Sequence, residues 1–462
     1  VDVKISELLG VTGGQLIGKP DGDMSFSGIS TDTRSLKKGD LFFALSGRRF
    51  DAHDFILEAA QKGAAGFVIA NAQKIPSECK KSAVFIVVED ALKAYGDLAK
   101  WYRQKFKIPA IAITGSSGKT TVKELVSHTL SQNFHVLKNK GTENNFVGVP
   151  KTIFSIESSH QMLVLEMGTS GPGEIDRLSS IIKPCVGIVT QIGQAHLEGL
   201  GSREGIKQEK LKILNHLERG GILILNGQDP MLEDVRSGVH KVLRVGFEKN
   251  KGQDFWADQI WLHEQGASFY LNGKDLFETR LLGRHNVFNC LLAITTALSF
   301  GVELGVVQKA IASFEPVPGR LCPKNIEGIY FLDDSYNSNP DSFLGALQML
   351  KDLKIRERKG VVCGDMLELG EAAQELHRQM GAAIAGLLFD FVIATGPFSK
   401  FLIEEAVKNG FDAQRIYQAK DSAEAGKLCR KIALAGDRVL VKGSRGMKME
   451  RVFECFTNSS TR

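Results

Sequence analysis

The stretch Ala110–Thr121, AIAITGSSGKTT, constrains the fold more than any other part of the chain. An apolar run, Ala110 to Thr114, enters a small glycine-rich turn, and a helical pattern begins at Lys119. That order is the signature of a buried strand feeding a helix. Backbone N–H groups of such a turn converge on phosphate oxygens, and the helix N-terminus adds a favourable field. Gly115, Ser116, Ser117, Gly118, Lys119, Thr120 and Thr121 are therefore read as a phosphate-binding loop. Lys119 is expected along the β/γ-phosphates, with the Thr120 hydroxyl on Mg²⁺. The match to G-x-x-x-x-G-K-[ST] is imperfect. Ile113 stands where the first glycine belongs, and Gly115 follows two residues later.

At 462 residues the chain exceeds what one hydrophobic core usually serves, so two or three domains are expected. Short strands alternate with helices up to the long helical pattern Asp90–Phe106, and Pro109 marks a boundary. The loop's own segment continues with strands at Gln161–Glu166, Val186–Gln191 and Gly221–Asn226. Helices are expected at Lys119–Ser131, Gly205–His216, Asn286–Phe300 and Gly305–Ser313, and an antiparallel excursion around Phe255–Leu271. Pro316, Pro318 and Gly319 mark a second boundary, beyond which strands and helices alternate again. The fold class is α/β. It has three domains: N-terminal (1–107), central with a doubly wound, mostly parallel sheet carrying the loop (108–317), and C-terminal (318–462).

Composition excludes several classes. Hydrophobic residues at 43% and charged residues at 24% rule out a disordered or fibrous chain. A net charge of +5 suits phosphate-bearing ligands, but no long Lys/Arg block points to nucleic acid. Seven widely spaced cysteines without a C-x-x-C pair argue against a disulfide framework or structural zinc, and for a reducing compartment. Val1–Gly10 is helix-like and lacks a cationic signal region. The longest apolar run, near Gly381–Gly396, is broken by Asp390 and too short to span a bilayer. A cytoplasmic monomer without membrane insertion is expected.

Phosphoryl transfer needs further groups to hold a metal and neutralise charge. Glu166 ends the apolar run MLVLE, where a metal-holding carboxylate is expected, and His196 lies just past the next strand in QIGQAHLEGLGS.

These residues together resemble the Mur ligases, ATP-dependent enzymes that extend the UDP-linked muramoyl peptide of bacterial cell walls. The resemblance runs in order along nearly the whole chain. TGSSGKTT resembles the family's TGxxGK[ST]T loop, and GTENNFVGVP the segment whose Asn, here Asn145, meets phosphate and substrate. EMG at Glu166 resembles the magnesium-binding Glu. AHLEGLGS resembles the segment whose His, here His196, helps hold a second magnesium. GRHNVFNCLLA resembles the adenine-contacting motif, through Asn286 and Asn289. PGR, with Arg320, and DDSYNSNP, with Asp334, resemble the elements where the third domain closes on ATP. TDTR, FDAHDF, GDMLELG and KGSRG fit the member that adds D-Ala-D-Ala to UDP-N-acetylmuramoyl-tripeptide. The implied cofactors are ATP and two Mg²⁺, and the substrates are that tripeptide and the dipeptide. The implied product is a peptidoglycan precursor, made through an acyl phosphate.

By the same resemblance, Asp32, Thr33, Arg34 and His53 are candidates for the nucleotide-sugar, and Asn337, Asn339, Ser444 and Arg445 for the dipeptide. The family also carries a carbamylated lysine after the His. Counting from Ser202 places it at Lys210 in IKQEKLKIL, with Lys207 and Lys212 close by and Lys212 where an acidic residue is common. The rivals are a diaminopimelate- or lysine-adding ligase, a folylpolyglutamate synthase, a mechanical or transport P-loop ATPase, and an inactive scaffold. DDSYNSNP argues against the first and the long N-terminal domain against the second. Glu166 in place of a Walker-type Asp argues against the third, and intact Lys119, Thr120, Glu166 and His196 against the last.

Overall fold

Three large sheets, beside a two-stranded one, organise the described residues, each built mostly from short apolar strands. The computed structural model describes residues 1–457 apart from positions 21, 48–49, 81–82, 248 and 250–251. The first sheet has five strands: β1 (Gln15–Ile17), β2 (Gly28–Ser30), β3 (Asp40–Phe43), β4 (Gly66–Ile69) and β5 (Val84–Val87). Their order is β1-β5-β4-β3-β2, parallel except for β1. The helix α1 (Ile5–Thr12) starts later than the helix-like reading of Val1–Gly10, because Val3–Lys4 pairs with Ser25–Phe26. After α2 (Ile56–Gln61) comes α3 (Ala91–Gln104), whose start is capped by the Asp90 carboxylate on the N–H groups of Leu92 and Lys93.

The central sheet begins with β6 (Ala110–Thr114), which leads into α4 (Lys119–Leu130). Next come β7 (Val136–Lys138), α5 (Gly148–Ile153), β8 (Met162–Glu166), α6 (Glu174–Ile182) and β9 (Val186–Val189). They are followed by α7 (Leu197–Leu200), α8 (Arg203–Leu211), β10 (Ile222–Asn226), β11 (Lys241–Phe247), β12 (Phe255–His263), β13 (Gly266–Leu271) and β14 (Asp275–Thr279). Two helices close the unit, α9 (Arg284–Ser299) and α10 (Leu304–Ser313). The order is β14-β13-β12-β11-β10-β9-β6-β8-β7, parallel from β7 to β12. Side chains alternate across it. Ala110, Ala112, Leu163 and Leu165 face one core and Ile111, Ile113, Val164 and Ile188 the other. The first core runs on through Leu98 and Tyr95 of α3 into Phe43 and Val68, so α3 is a wall shared by the first two sheets.

The third sheet comprises β15 (Cys322–Ile326), β16 (Ile329–Asp334), β17 (Lys359–Gly364), β18 (Phe391–Thr395), β19 (Ile416–Ala419) and β20 (Arg438–Lys442), in the order β15-β16-β20-β17-β18-β19. Helices α11 (Pro340–Asp352), α12 (Ala373–Leu387), α13 (Ser399–Lys408) and α14 (Ser422–Ile432) cover its faces. No helix among the described residues is long and apolar enough to cross a membrane.

Two expectations need correction. The helix expected over Gly205–His216 is α8 followed by a 3₁₀ turn at Lys212–His216. The excursion around Phe255–Leu271 is only half antiparallel, since β12 pairs parallel with β11.

Candidate active site

The loop between β6 and α4 can exist only with glycine at two places. Gly115 has φ +146, and a Cβ there would lie 1.8 Å from the Thr190 hydroxyl. Gly118 has φ +82, and its Cβ would meet Asn289 Oδ1 at 2.7 Å. Both angles lie where side chains are strained. The loop thus threads between the end of β9 and the face of α9. Ser116 N–H donates to Gln191 O at 2.9 Å and the Thr190 hydroxyl to Ser117 O at 2.5 Å. Lys119 Nζ curls back onto Gly115 O at 2.7 Å. Burial pulls its ammonium below the ordinary value, and Glu166 partly opposes the shift.

The Thr120 hydroxyl donates to Glu166 Oε2 at 2.9 Å, and Asn144 Nδ2 to Glu166 Oε1 at 2.7 Å. Glu166, though 1% exposed, lines the cleft. Sequence reasoning chose Asn145. Its Oδ1 instead accepts the N–H groups of Val147 and Gly148 at the start of α5, while its neighbour Asn144 reaches the carboxylate. Both line the cleft. The Asn-Asn doublet carried the signal, but not that Asn144 is the one bonded to Glu166.

Beneath this segment Lys123 is fully buried, its Nζ bonded to Asn139 O (2.9 Å), Gly141 O (2.7 Å) and the Glu124 carboxylate (2.9 Å). Lys123→Met is expected to strand those acceptors and to cost about 1–3 kcal/mol. Urea unfolding would read the loss, and an unchanged midpoint would contradict it.

The third domain closes the cleft, whose volume is ≈ 600 Å³. Arg320 Nη2 donates to the Thr120 hydroxyl at 3.2 Å, and the guanidinium sits 4.2 Å from the centre of the Tyr336 ring. Asn339, expected at the dipeptide, lies against the phosphate loop. Its Nδ2 donates to Ser116 O (3.3 Å) and Ser117 Oγ (2.9 Å), and its Oδ1 caps α11. Asp341 Oδ2 accepts the Gln194 N–H at 2.7 Å. Asp334 forms a buried pair with Lys442 at 2.5 Å. Asn286 and Asn289 bond to each other at 2.8 Å on α9. Asn337 and Arg445 are exposed cleft residues, whereas Ser444 is buried and spends its hydroxyl on Ser338 O and the Leu367 N–H.

His196 lies on the cleft wall, its Nδ1 2.6 Å from Glu368 Oε2. That bond holds the Glu368 carboxyl below its ordinary value. Lys210 is 1% exposed, and no hydrogen bond or ion pair to its Nζ is found among the described residues. Burial, and then repulsion from Lys119, push its ammonium well below the ordinary value. Its two neighbours are engaged elsewhere, Lys207 with Asp234 at 2.8 Å and Lys212 with Glu209 at 2.8 Å.

The four first-domain candidates do not line this cleft. Arg34 grips Asp32 at 2.6 Å, and Thr33 is buried with its carbonyl on Lys62. His53 is 4% exposed, with Nδ1 on Asp51 (2.6 Å) and Nε2 accepting the Ala70 N–H (3.1 Å). Both ring nitrogens are used, so His53 ties its loop to the sheet rather than offering a free edge to a ligand.

Family models match three stretches of the chain. The Mur ligase family catalytic domain matches residues 25–103, the Mur ligase middle domain 113–297, and the Mur ligase glutamate ligase domain 319–445. The chain belongs to the Mur ligase family. Among Mur ligases it is 35% identical to the UDP-N-acetylmuramoyl-tripeptide–D-alanyl-D-alanine ligase of Bacillus subtilis, over 92% of each chain. Identity to the ligase of the same name from Escherichia coli is 34%, over 100% of both chains. Among solved Mur ligase structures, MurF from Acinetobacter baumannii superposes with a TM-score of 0.89 at 31% identity, over 99% of both chains. MurF from Thermotoga maritima, in complex with ADP, gives 0.82 at 28% identity over 93% of this chain and 96% of that one.

Proposed function

We propose that this Mur ligase adds D-alanyl-D-alanine to UDP-N-acetylmuramoyl-tripeptide at the expense of ATP, through an acyl phosphate. The observation that carries the reading is a full-length likeness to ligases of that name, joined to a cleft where Arg320 and Asn339 of the third domain touch the phosphate loop. ADP in the Thermotoga maritima relative supports ATP as the nucleotide. The seven cysteines, all unpaired, support a cytoplasmic location.

The chemistry proceeds in two displacements. A carboxylate oxygen of the tripeptide attacks the γ-phosphorus, the bond to the β-phosphate oxygen breaks, and ADP leaves. The dipeptide amine then attacks the acyl carbon, loses a proton, and inorganic phosphate leaves with the shared oxygen. No enzyme nucleophile is required. Lys119 on the loop and Arg320 on the Thr120 hydroxyl offset charge as two anions approach. Asn286 and Asn289, across from Gly118, suit the base. Closure by the third domain excludes water from an intermediate that hydrolyses readily.

The residues present fit magnesium. Thr120 and Glu166 offer two hard oxygens 2.9 Å apart beside the loop, and Mg²⁺ typically takes one or two carboxylates, with phosphates and water completing its shell. His196 and a carbamate on Lys210 would hold the second ion. Bound Mg²⁺ would supply charge neutralisation at the γ-phosphate and the substrate carboxylate. The first domain binds the UDP-sugar in this reading. Asn337 and Arg445 are left as the dipeptide candidates with exposed side chains.

Sustained ATP consumption is expected only with both the UDP-muramoyl-tripeptide and D-Ala-D-Ala present. Better turnover with free D-glutamate or a diaminopimelate-type amino acid would overturn the substrate assignment and leave the family intact.

A further inference from the structure

His196 and Glu368 meet across the boundary between the central and third domains. Both hold left-handed backbone conformations, with φ +59 and +63. Such angles are uncommon away from glycine and persist where surrounding contacts over-determine them. Three contacts do so here. His196 Nδ1 lies 2.6 Å from Glu368 Oε2. The Glu198 N–H donates to the Glu368 carbonyl at 3.4 Å. Gly370, at φ +57, lies alongside Glu198, where a Cβ would be in ordinary van der Waals contact with Glu198 Cα at 3.4 Å. The backbone of the third domain thus seats the turn that begins α7, while its carboxylate takes the imidazole.

An ionised carboxylate can only accept, so Nδ1 carries the proton in this pair. In the neutral ring Nε2 then keeps its lone pair, as a metal-ligating imidazole requires. Here the carboxylate arrives 172 residues later, from the loop that follows β17 of the third sheet.

We infer that Glu368 is the positioning residue for His196: the third domain delivers the carboxylate that fixes the Nδ1–H tautomer and the ring's orientation, so the second cation site is complete only when that domain is closed. This rests on the ligase reading for the role of the second cation. It adds a reason why phosphoryl transfer should wait for the acceptor-binding domain, since an acyl phosphate made in an open cleft is lost to water.

The test uses the full-length enzyme and three variants: Glu368→Ala, Glu368→Gln, and His196→Asn, the last chosen because Asn tolerates a positive φ. Glu368→Ala is expected to lower kcat about 10- to 100-fold, the usual effect of removing a partner behind a metal ligand. Glu368→Gln should recover most of it, because the amide oxygen still accepts from Nδ1–H. Adding Glu368→Ala to His196→Asn should cost nothing further, since the carboxylate acts through the ring. The readout independent of turnover is the ¹⁵N histidine spectrum of enzyme saturated with a non-hydrolysable ATP analogue, His196 being assigned by its disappearance in His196→Asn. Wild type should show one Nδ1–H tautomer and Glu368→Ala a mixture. An unchanged His196 signal in Glu368→Ala, full kcat in that variant, or multiplicative losses in the double variant would overturn the inference. If wild type consumes no ATP with the proposed substrates, the ligase reading fails, and the spectra still decide the pairing.

Discussion

Lys119→Ala is expected to lower kcat for ATP-dependent amide formation on the order of 10²-fold or more. Among the described residues Nζ hydrogen-bonds only the loop's own Gly115 carbonyl, so its removal leaves the surrounding contacts in place. The loss therefore falls on chemistry rather than on folding. In the reaction the ammonium leaves that carbonyl for the phosphate oxygens, where charge grows as ADP departs and no neutral side chain can replace it. A parallel thermal melt should shift little. Near-normal turnover by a folded variant would remove the phosphate-loop assignment and with it the foundation of the mechanism. Arg320 cannot stand in, because its guanidinium is held over Tyr336 and directed at the Thr120 hydroxyl.

Legibility in the sequence followed the range of the physical constraint. The loop was readable because its demands are local: glycine where φ is +146 and +82, a lysine next, a strand before and a helix after. Glu166 was readable for the same reason, as the polar end of an apolar strand. Asn339 was not. Its tie to Ser117 spans 222 residues, and nothing in DDSYNSNP says that this Asn caps a helix and meets the loop at once. His53 looked like a free loop histidine until the sheet brought the Ala70 N–H to its second nitrogen. The strands β7 and β19, at three and four residues, are too short for alternation to register, and α5 carries Pro150 inside its first turn. The pairing of His196 with Glu368 joins two domains across 172 residues, and no local pattern encodes such a contact.

Lys210→Ala should lose most activity, and a short carboxylic acid in the buffer should restore part of it. A buried ammonium beside Lys119 would repel a cation, and among the described residues it makes no close ion pair, Glu209 opposing the Lys119 repulsion only in part. Desolvation resolves this by favouring the neutral amine, the form that adds CO₂. The product is a carbamate with the release of one proton, which turns a misplaced cation into an anionic oxygen ligand suited to Mg²⁺. A free carboxylate can occupy the space that Lys210→Ala opens and supply an equivalent oxygen, which is why rescue discriminates where loss alone would not. The neighbouring lysines are the controls. Lys207→Ala frees only an exposed Asp234, and Lys212→Ala leaves the Glu209 carboxylate still held by the N–H groups of Gly173 and Ile175. Both should be mild. If Lys210→Ala keeps full activity, or if Lys212→Ala is the variant that dies and is rescued, the carbamate belongs elsewhere or does not form.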